Sequence, residues 1–195
     1  MKRIALIVAA VVLAFAFAPA HTIRAQIPPP PTPSPDPHSY VDPAMHFIAP
    51  PDAVLLGRQF PSLAELGNDL QPVAVWALHP GKEDMRTIQI LMESFVGAPN
   101  QWEAQFESQM HNNGGDGLLI RDKTPMALLN GMPATFVEVT SGSGFDSKKE
   151  FAVVWGDGQR GIVLAETGRL GDAGPDEAKR VLRNVTAVRY PIDQP

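Results

Sequence analysis

Apolar and polar residues alternate along much of the second half of the chain, which is the pattern of half-buried β-strands. Three segments follow this pattern, at residues 134–140, 150–155 and 161–167. Dipeptides typical of tight turns precede the first and the third of them, namely Asn130-Gly131 and Asp157-Gly158. Strands joined by short turns pair as hairpins, so this part of the chain predicts an antiparallel meander.

The first half contains shorter apolar segments that also predict strands. Short strands are expected at residues 45–48, 53–56 and 118–121, and a longer one at 87–95. Residues 73–78 are apolar without interruption, which predicts a strand buried on both faces. Residues 62–70 are instead compatible with one or two helical turns.

A helical period replaces the alternation in the middle of the chain. Asn100 is a favourable N-cap, and Trp102, Phe106 and Met110 then recur every four residues on one face. The pattern predicts a helix at about 100–113. We expect its aromatic face to pack on the sheet rather than to form a ligand surface.

A second helix is predicted at about 175–186, because Pro175 suits the first helical position and acidic residues follow it. Its apolar stripe extends to Val185, and a closing strand is expected at 187–190. The predicted fold is therefore α+β. It consists of a single antiparallel β-sheet built from hairpins and flanked by two main helices.

The N-terminus has the layout of a secretory signal peptide. A short basic segment precedes an apolar run at residues 4–17, and small residues suit cleavage after Ala20 or after Ala25. The alternative is an uncleaved anchor, although the stretch from Ile4 to Ala20 has only 17 residues, at the short limit for spanning a bilayer. No cysteine follows the run, which excludes a lipoprotein. We expect a signal peptide at residues 1–25 and a secreted or periplasmic protein.

A proline-rich segment comes next, with seven prolines in residues 28–37. Proline fixes φ and lacks an N–H group, so such a segment favours extended polyproline II conformation. A disordered linker is predicted at 26–39, followed by a single α+β globular domain at 40–191 and a tail at 192–195. A spacer is the preferred interpretation of the linker, and a proline-motif ligand for a partner protein is the alternative.

Charge and composition exclude several classes of function. The formal net charge is −5, which opposes nucleic-acid binding and attachment to anionic membranes. Membrane contact is therefore expected only transiently, through the signal peptide. Cysteine is absent, which excludes disulfides, thiolate catalysis and iron–sulfur clusters.

Residues 156–161 satisfy the G-x-G-x-x-G pattern of dinucleotide-binding proteins. That motif needs a helix after its glycines, so that the helix N-terminus meets the pyrophosphate. Here the residues that follow alternate like a strand. We therefore interpret the segment as a hairpin turn that binds no nucleotide.

Metal sites are not predicted either. Residues 112–117 resemble the start of a calcium loop, but Lys123 stands where a bidentate glutamate is required. The five histidines show no zinc-ligand spacing. No metal ion and no cofactor are expected.

Two residues are the best candidates for catalysis. His79 follows the strand expected at 73–78, and Glu166 lies within a predicted strand, as Glu138 does. Solvated positions facing outward are the default interpretation of both glutamates. No serine has the surroundings of a hydrolase nucleophile, so no catalytic residue is assigned.

Several segments resemble the PsbP-like and Mog1-like α/β/α sandwich family. They are Phe47-Ile48-Ala49-Pro50-Pro51, the mid-chain amphipathic helix, Asn130-Gly131-Met132-Pro133-Ala134, and the late helix with Ala178-Lys179-Arg180-Val181-Leu182. The resemblance spans nearly all of residues 45–190. The family's glycine and tryptophan after the first proline pair are absent here, where Asp52-Ala53-Val54 stands. The resemblance implies a non-enzymatic extracytoplasmic or accessory binding fold, and it assigns no functional residue.

Three functions remain compatible with these patterns. The preferred one is a secreted, non-catalytic binding or accessory domain on a proline-rich tether, with an unknown protein or small molecule as its ligand. The second is an exported hydrolase whose site gathers dispersed residues such as His79 and Glu166. The third is a structural or assembly protein of the cell envelope that acts through its sheet surface.

Overall fold

Two antiparallel β-sheets and two helices make up the part of the chain that the structure describes. The structure is a computed structural model, and it describes residues 36–42, 45–114, 119–141, 148–169 and 174–187. Apart from Asp36, these residues belong to one compact unit that begins at Pro37. The predicted signal peptide at 1–25, most of the linker at 26–39 and the tail at 192–195 lie outside the described residues.

The elements follow one another in the order strand, helix, strand, helix, strand. The first five strands are β1 (Ser39–Val41), β2 (Met45–Ile48), β3 (Val54–Arg58), β4 (Gln71–Leu78) and β5 (Arg86–Ser94). Helix α1 (Pro99–Gly114) precedes four long strands, namely β6 (Leu119–Ala127), β7 (Pro133–Ser141), β8 (Lys148–Gly156) and β9 (Arg160–Arg169). Helix α2 (Pro175–Leu182) and strand β10 (Val185–Ala187) come last.

The prediction of a single sheet flanked by two main helices is wrong. About half of the described residues are in strands, and they form a seven-stranded sheet and a separate three-stranded one. The large sheet has the order β3-β4-β5-β9-β8-β7-β6, and the small one has the order β1-β2-β10. Strand β10 pairs with β2 in the register Val185↔Phe47, which joins segments far apart in the sequence. Such a pairing leaves no local signal, whereas the antiparallel pairing of β7, β8 and β9 is confirmed. Strand β6 extends this meander and continues to Ala127, although only a short strand at 118–121 was expected.

The helices also differ in how well they were predicted. Helix α1 confirms the helix expected at 100–113. Helix α2 ends at Leu182, so the prediction that it continues to 186 is wrong. Val185 fits the apolar stripe of a helix, yet it extends the small sheet because Phe47 offers a strand partner there. Residues 63–65 form a turn, and the helical turns predicted at 62–70 are not found.

Alternate positions of the large sheet contribute to two separate hydrophobic cores, because residues paired across antiparallel strands share a face. On one face Trp102 and Phe106 of α1, both buried, pack against small and β-branched residues, namely Val137, Val139, Ala152, Val154, Val163 and Ala165. On the other face α2 and the small sheet cover the larger side chains Trp76, Ile88, Ile90, Phe136, Phe151, Val153 and Leu164. The predicted packing of the aromatic face of α1 on the sheet is thus confirmed. No helix among the described residues is long and apolar enough to cross a bilayer.

Candidate functional site

An open groove of about 600 Å³ lies where the end of β2, helix α2 and the turn after β6 come together. Apolar side chains form most of its lining, namely Ile48, Ala49, Pro50, Pro51, Leu129 and Val181. Its polar lining consists of Glu177, Arg180, Arg183 and Asn184. A concave apolar surface with a few polar groups is the usual composition of a ligand site.

The prolines explain why the groove begins where β2 ends. Pro50 and Pro51 have no backbone N–H group to donate to a neighbouring strand, so the ladder cannot continue through them. The last pairing position of β2 with β1 is Ile48, opposite Ser39. The chain therefore leaves the sheet at this point, and its proline rings become part of the groove wall.

Hydrogen bonds between remote segments hold the walls of the groove together. Asn184 donates from its side-chain Nδ2 to the carbonyl oxygen of Ile48 at 2.9 Å, and its own carbonyl accepts from the Ile48 N–H at 3.4 Å. The N–H of Leu129 donates to the carbonyl of Val185 at 3.0 Å. These bonds tie the end of β2 and the turn after β6 to the segment that follows α2. These hydrogen bonds therefore hold the backbone of the groove in place without a ligand.

Large apolar side chains in the groove remain accessible to solvent. The exposed fraction is 44% for Ile48 and 59% for Leu129. Folding has left this apolar surface uncovered, so a ligand that covers it gains the free energy of removing it from water.

The charged side chains of the groove differ in how they are partnered. Glu177 accepts a hydrogen bond from Nη2 of Arg86 at 3.1 Å, and Arg86 also binds Glu166 through Nη1 at 2.5 Å. Arg180 and Arg183 are exposed, and neither forms an ion pair with another described residue. Among the described residues, the groove therefore presents two guanidinium groups without an ion-pair partner, beside a glutamate that shares the Arg86 guanidinium with Glu166.

The structure places the two catalytic candidates in two charged clusters, one of His79 with Asp52 and Asp84 and one of Glu166 with Arg86 and Glu177. The ring of His79 lies between two carboxylates, with Nδ1 at 2.6 Å from Asp84 Oδ2 and Nε2 at 3.4 Å from Asp52 Oδ2. The hydrogen bond with His79 holds the pKa of the Asp84 carboxyl below its usual value. His79 also has φ 49°, in the left-handed region that non-glycine residues rarely occupy.

Glu166 is buried, with only 1% of its surface exposed, so the expectation of a solvated, outward-facing position is wrong for it. Burial raises the pKa of its carboxyl, and the Arg86 guanidinium opposes that rise. Glu138 lies apart from this cluster and pairs with Lys149 of the neighbouring strand at 2.8 Å.

This geometry suits a structural role better than hydrolysis. A general base needs a lone pair aimed at the substrate, but both ring nitrogens of His79 face aspartates. Glu166 is covered by Arg86 and cannot reach a bound molecule. Arg86 instead holds the N-terminal turn of α2 against the large sheet through its ion pair with Glu177.

The sequence patterns missed Arg86, Glu177 and the groove itself. Arg86 is separated from Glu166 by 80 residues and from Glu177 by 91, so no spacing motif links them. The one local signal near the groove is the proline pair at 50–51, because proline cannot continue a strand ladder.

The glycine motif at residues 156–161 is a hairpin turn between β8 and β9, as predicted. Gly158 has φ 102°, and the Asp157 carboxylate accepts the backbone N–H groups of Gln159 and Arg160 at 2.9 and 2.7 Å. These amides are therefore occupied by a carboxylate of the chain itself, in the manner of an Asx turn.

The calcium-like segment at 112–117 lies partly outside the described residues. Within the described part of the chain, no group of three or more histidine or carboxylate side chains is arranged to hold a metal ion.

Comparison with known proteins adds no assignment to this geometry. No protein-family model matches the chain, and no curated protein matches it. The resemblance to the PsbP-like and Mog1-like family therefore stays a prediction, and the function has to be inferred from the groove and its surroundings.

Proposed function

We propose that this protein is a secreted, non-catalytic binding domain held on a proline-rich tether, and that the groove is its ligand site. The single observation that carries this proposal is the groove of about 600 Å³ with apolar walls and a few charged groups. Ligand sites in proteins are typically clefts of about 300–1,000 Å³ with such a lining.

The rigidity of the groove supports a binding role. Its walls are joined by hydrogen bonds from Asn184 and Leu129 to segments remote in sequence. A site that is already ordered loses little conformational entropy when it binds, so more of the contact energy contributes to affinity. The chemistry of the adjacent cluster supports the same conclusion, because Glu166 is held in an ion pair with Arg86 and is inaccessible.

The export signal and the tether fit this function as sequence predictions. A domain on an extended proline-rich spacer can reach ligands at a distance from its point of attachment. The resemblance to a family of accessory folds points in the same direction.

Titration with a neutral apolar dye tests the proposal. N-phenyl-1-naphthylamine fluoresces strongly only in apolar surroundings, and we expect a saturable rise in its emission when it is added to the exported protein. Leu129→Gln should weaken this binding without changing the unfolding midpoint, since Leu129 is 59% exposed. The matched control is Leu56→Gln, because Leu56 is 60% exposed and lies on β3, outside the groove.

Two results would overturn the proposal. One is the absence of saturable dye binding to the folded protein. The other is equal dye affinity in Leu129→Gln and in the unsubstituted protein, because the dye would then bind somewhere else.

A further inference from the structure

We infer that the ligand of the groove is a small amphipathic carboxylate, with an apolar body against Ile48, Leu129 and Val181 and its anionic group at Arg180 and Arg183. This inference rests on the proposed binding function and adds the chemical class of the ligand.

The first argument is the spacing of Arg180 and Arg183 along α2. Residues three apart are neighbours on a helix surface, and like charges at that spacing repel each other. Arg183 stands at the C-cap of α2, one turn after Arg180. Neither guanidinium forms an ion pair with a carboxylate of the described residues, so an anion bound between the two side chains would supply the missing partner.

The second argument is the contrast with other arginines of the same domain. Arg86 and Arg160 are 5% and 6% exposed, and each is held by two carboxylates of the chain itself. Arg180 and Arg183 line a groove and have no such partner among the described residues. The planar guanidinium fork matches the two oxygens of a carboxylate, which makes arginine the usual side chain for binding that group.

The third argument is the distribution of charge and apolar surface. The chain as a whole is acidic, with a net charge of −5, so most of its surface repels anions. Within the groove the apolar wall lies beside two arginines and one glutamate, Glu177, which Arg86 holds, so the cationic groups of the lining outnumber the anionic one. A molecule with one anionic end and one apolar end complements both parts, whereas a cation of the same shape complements only the apolar part.

Competition against the bound dye tests this inference with three molecules that share one alkyl chain. We expect decanoate to displace N-phenyl-1-naphthylamine at lower concentration than 1-decanol, and decyltrimethylammonium to be the weakest competitor. All three are used below the concentration at which they form micelles. Added salt should weaken decanoate and leave the dye unaffected, because screening acts on the charged contact only.

Substitution of both arginines locates the anionic contact. In the double variant Arg180→Gln/Arg183→Gln, decanoate affinity should fall about threefold to tenfold, a range suited to exposed charge contacts. Affinity for the neutral dye should be retained. The matched control is Lys82→Gln/Lys148→Gln, which changes the net charge equally at exposed positions outside the groove and should leave decanoate binding intact.

The outcomes separate this inference from the proposed function. If the dye binds but decanoate competes no better than decyltrimethylammonium, the inference is overturned and the binding function stands. An equal loss of decanoate affinity in the lysine control would also overturn it, because the effect would then come from net charge. If the dye itself does not bind, the proposed function fails first.

Discussion

Gly161 lacks a side chain where Trp102 of helix α1 packs on the large sheet. A Cβ atom built there would lie 2.5 Å from Cδ2, Cε3 and Cζ3 of the Trp102 ring. Atoms cannot approach that closely, so only glycine permits the observed packing of the indole on β9. The third glycine of the apparent nucleotide motif is therefore explained by the contact with α1, and the second, Gly158, by its positive φ.

We predict that Gly161→Ala destabilises the protein, because the added methyl group forces Trp102 and α1 away from the sheet. Overpacking of a well-packed core usually costs about 1–3 kcal/mol. Urea denaturation followed by tryptophan fluorescence measures the loss.

The control for this change is Gly67→Ala. A Cβ atom at Gly67 would meet only the backbone nitrogen of Asp69, at an ordinary contact distance of 3.9 Å, so the unfolding midpoint should change little. Equal midpoints for Gly161→Ala and the unsubstituted protein would show that Trp102 does not lie against β9.

Helix α1 is attached to the large sheet by both apolar and polar contacts. Trp102 and Phe106 are 0% and 2% exposed in the core between α1 and the sheet. At the edge of this core, Gln105 and Gln109 donate to the two carboxylate oxygens of Glu93 at 2.6 and 2.9 Å. Glu93 is itself completely buried and forms no ion pair with a described residue.

At the level of this helix, Phe106→Ala should lower stability by about 3–5 kcal/mol, the usual cost of truncating a buried phenylalanine. Thermal unfolding monitored by circular dichroism measures the change. Val96→Ala serves as the control, because Val96 is 77% exposed and its truncation leaves no cavity. A variant with an unchanged midpoint would contradict the packing of α1 on the sheet.

The attachment of α1 through Glu93 should depend on pH. Burial raises the pKa of the Glu93 carboxyl, while the hydrogen bonds from Gln109 and Gln105 partly oppose the rise. The stabilising protonated form is therefore fully present below the unfolded-state pKa. Its contribution is lost as the pH rises through the higher pKa of the folded state.

We predict that Glu93→Gln gains stability relative to the unsubstituted protein as the pH rises through this window. Urea denaturation of both proteins over a pH series measures the difference. Glu65→Gln should show the opposite slope, because the hydrogen bonds from Ser62 lower the pKa of the exposed Glu65 carboxyl. A difference for Glu93→Gln that does not vary with pH would contradict an uncompensated buried carboxylate.

Across the whole described unit, two ion clusters centred on buried arginines connect segments that are remote in sequence. Arg160 joins Asp157, in the β8–β9 turn, to Asp42, which lies beyond β1, at 2.8 and 2.7 Å. Arg86 joins the large sheet to Glu177 of α2. Removing one member of such a cluster leaves a buried charge without its partner, which is strongly destabilising.

Export is the prediction that concerns the entire chain. We expect the mature protein to begin at or after His21, because the N-terminal pattern suits cleavage after Ala20 or Ala25. N-terminal sequencing of the protein from the exported fraction decides between the two sites. Recovery of chains with an intact Met1 from washed membranes would instead support an uncleaved anchor.

Local patterns were sufficient for elements whose signal lies within a short window of residues. The period of two on both sides of residues 157–160 predicted a hairpin, and the stripe of Trp102, Phe106 and Met110 predicted α1. Local patterns were insufficient for Glu166, because they show only a polar residue within a strand. Whether such a residue faces solvent or a buried arginine depends on the strand and the helix that cover it.

The sequence by itself determined strands β7, β8 and β9, helix α1 and the turn between β8 and β9, because side-chain periodicity and turn preferences are local properties. Only the tertiary structure decided that Val185 belongs to strand β10 and not to helix α2. It also decided that β10 pairs with β2 in a second sheet. It also decided that a proline pair, a turn leucine and two arginines line one groove. These outcomes depend on remote segments becoming buried together, and the free energy of that burial belongs to no single segment.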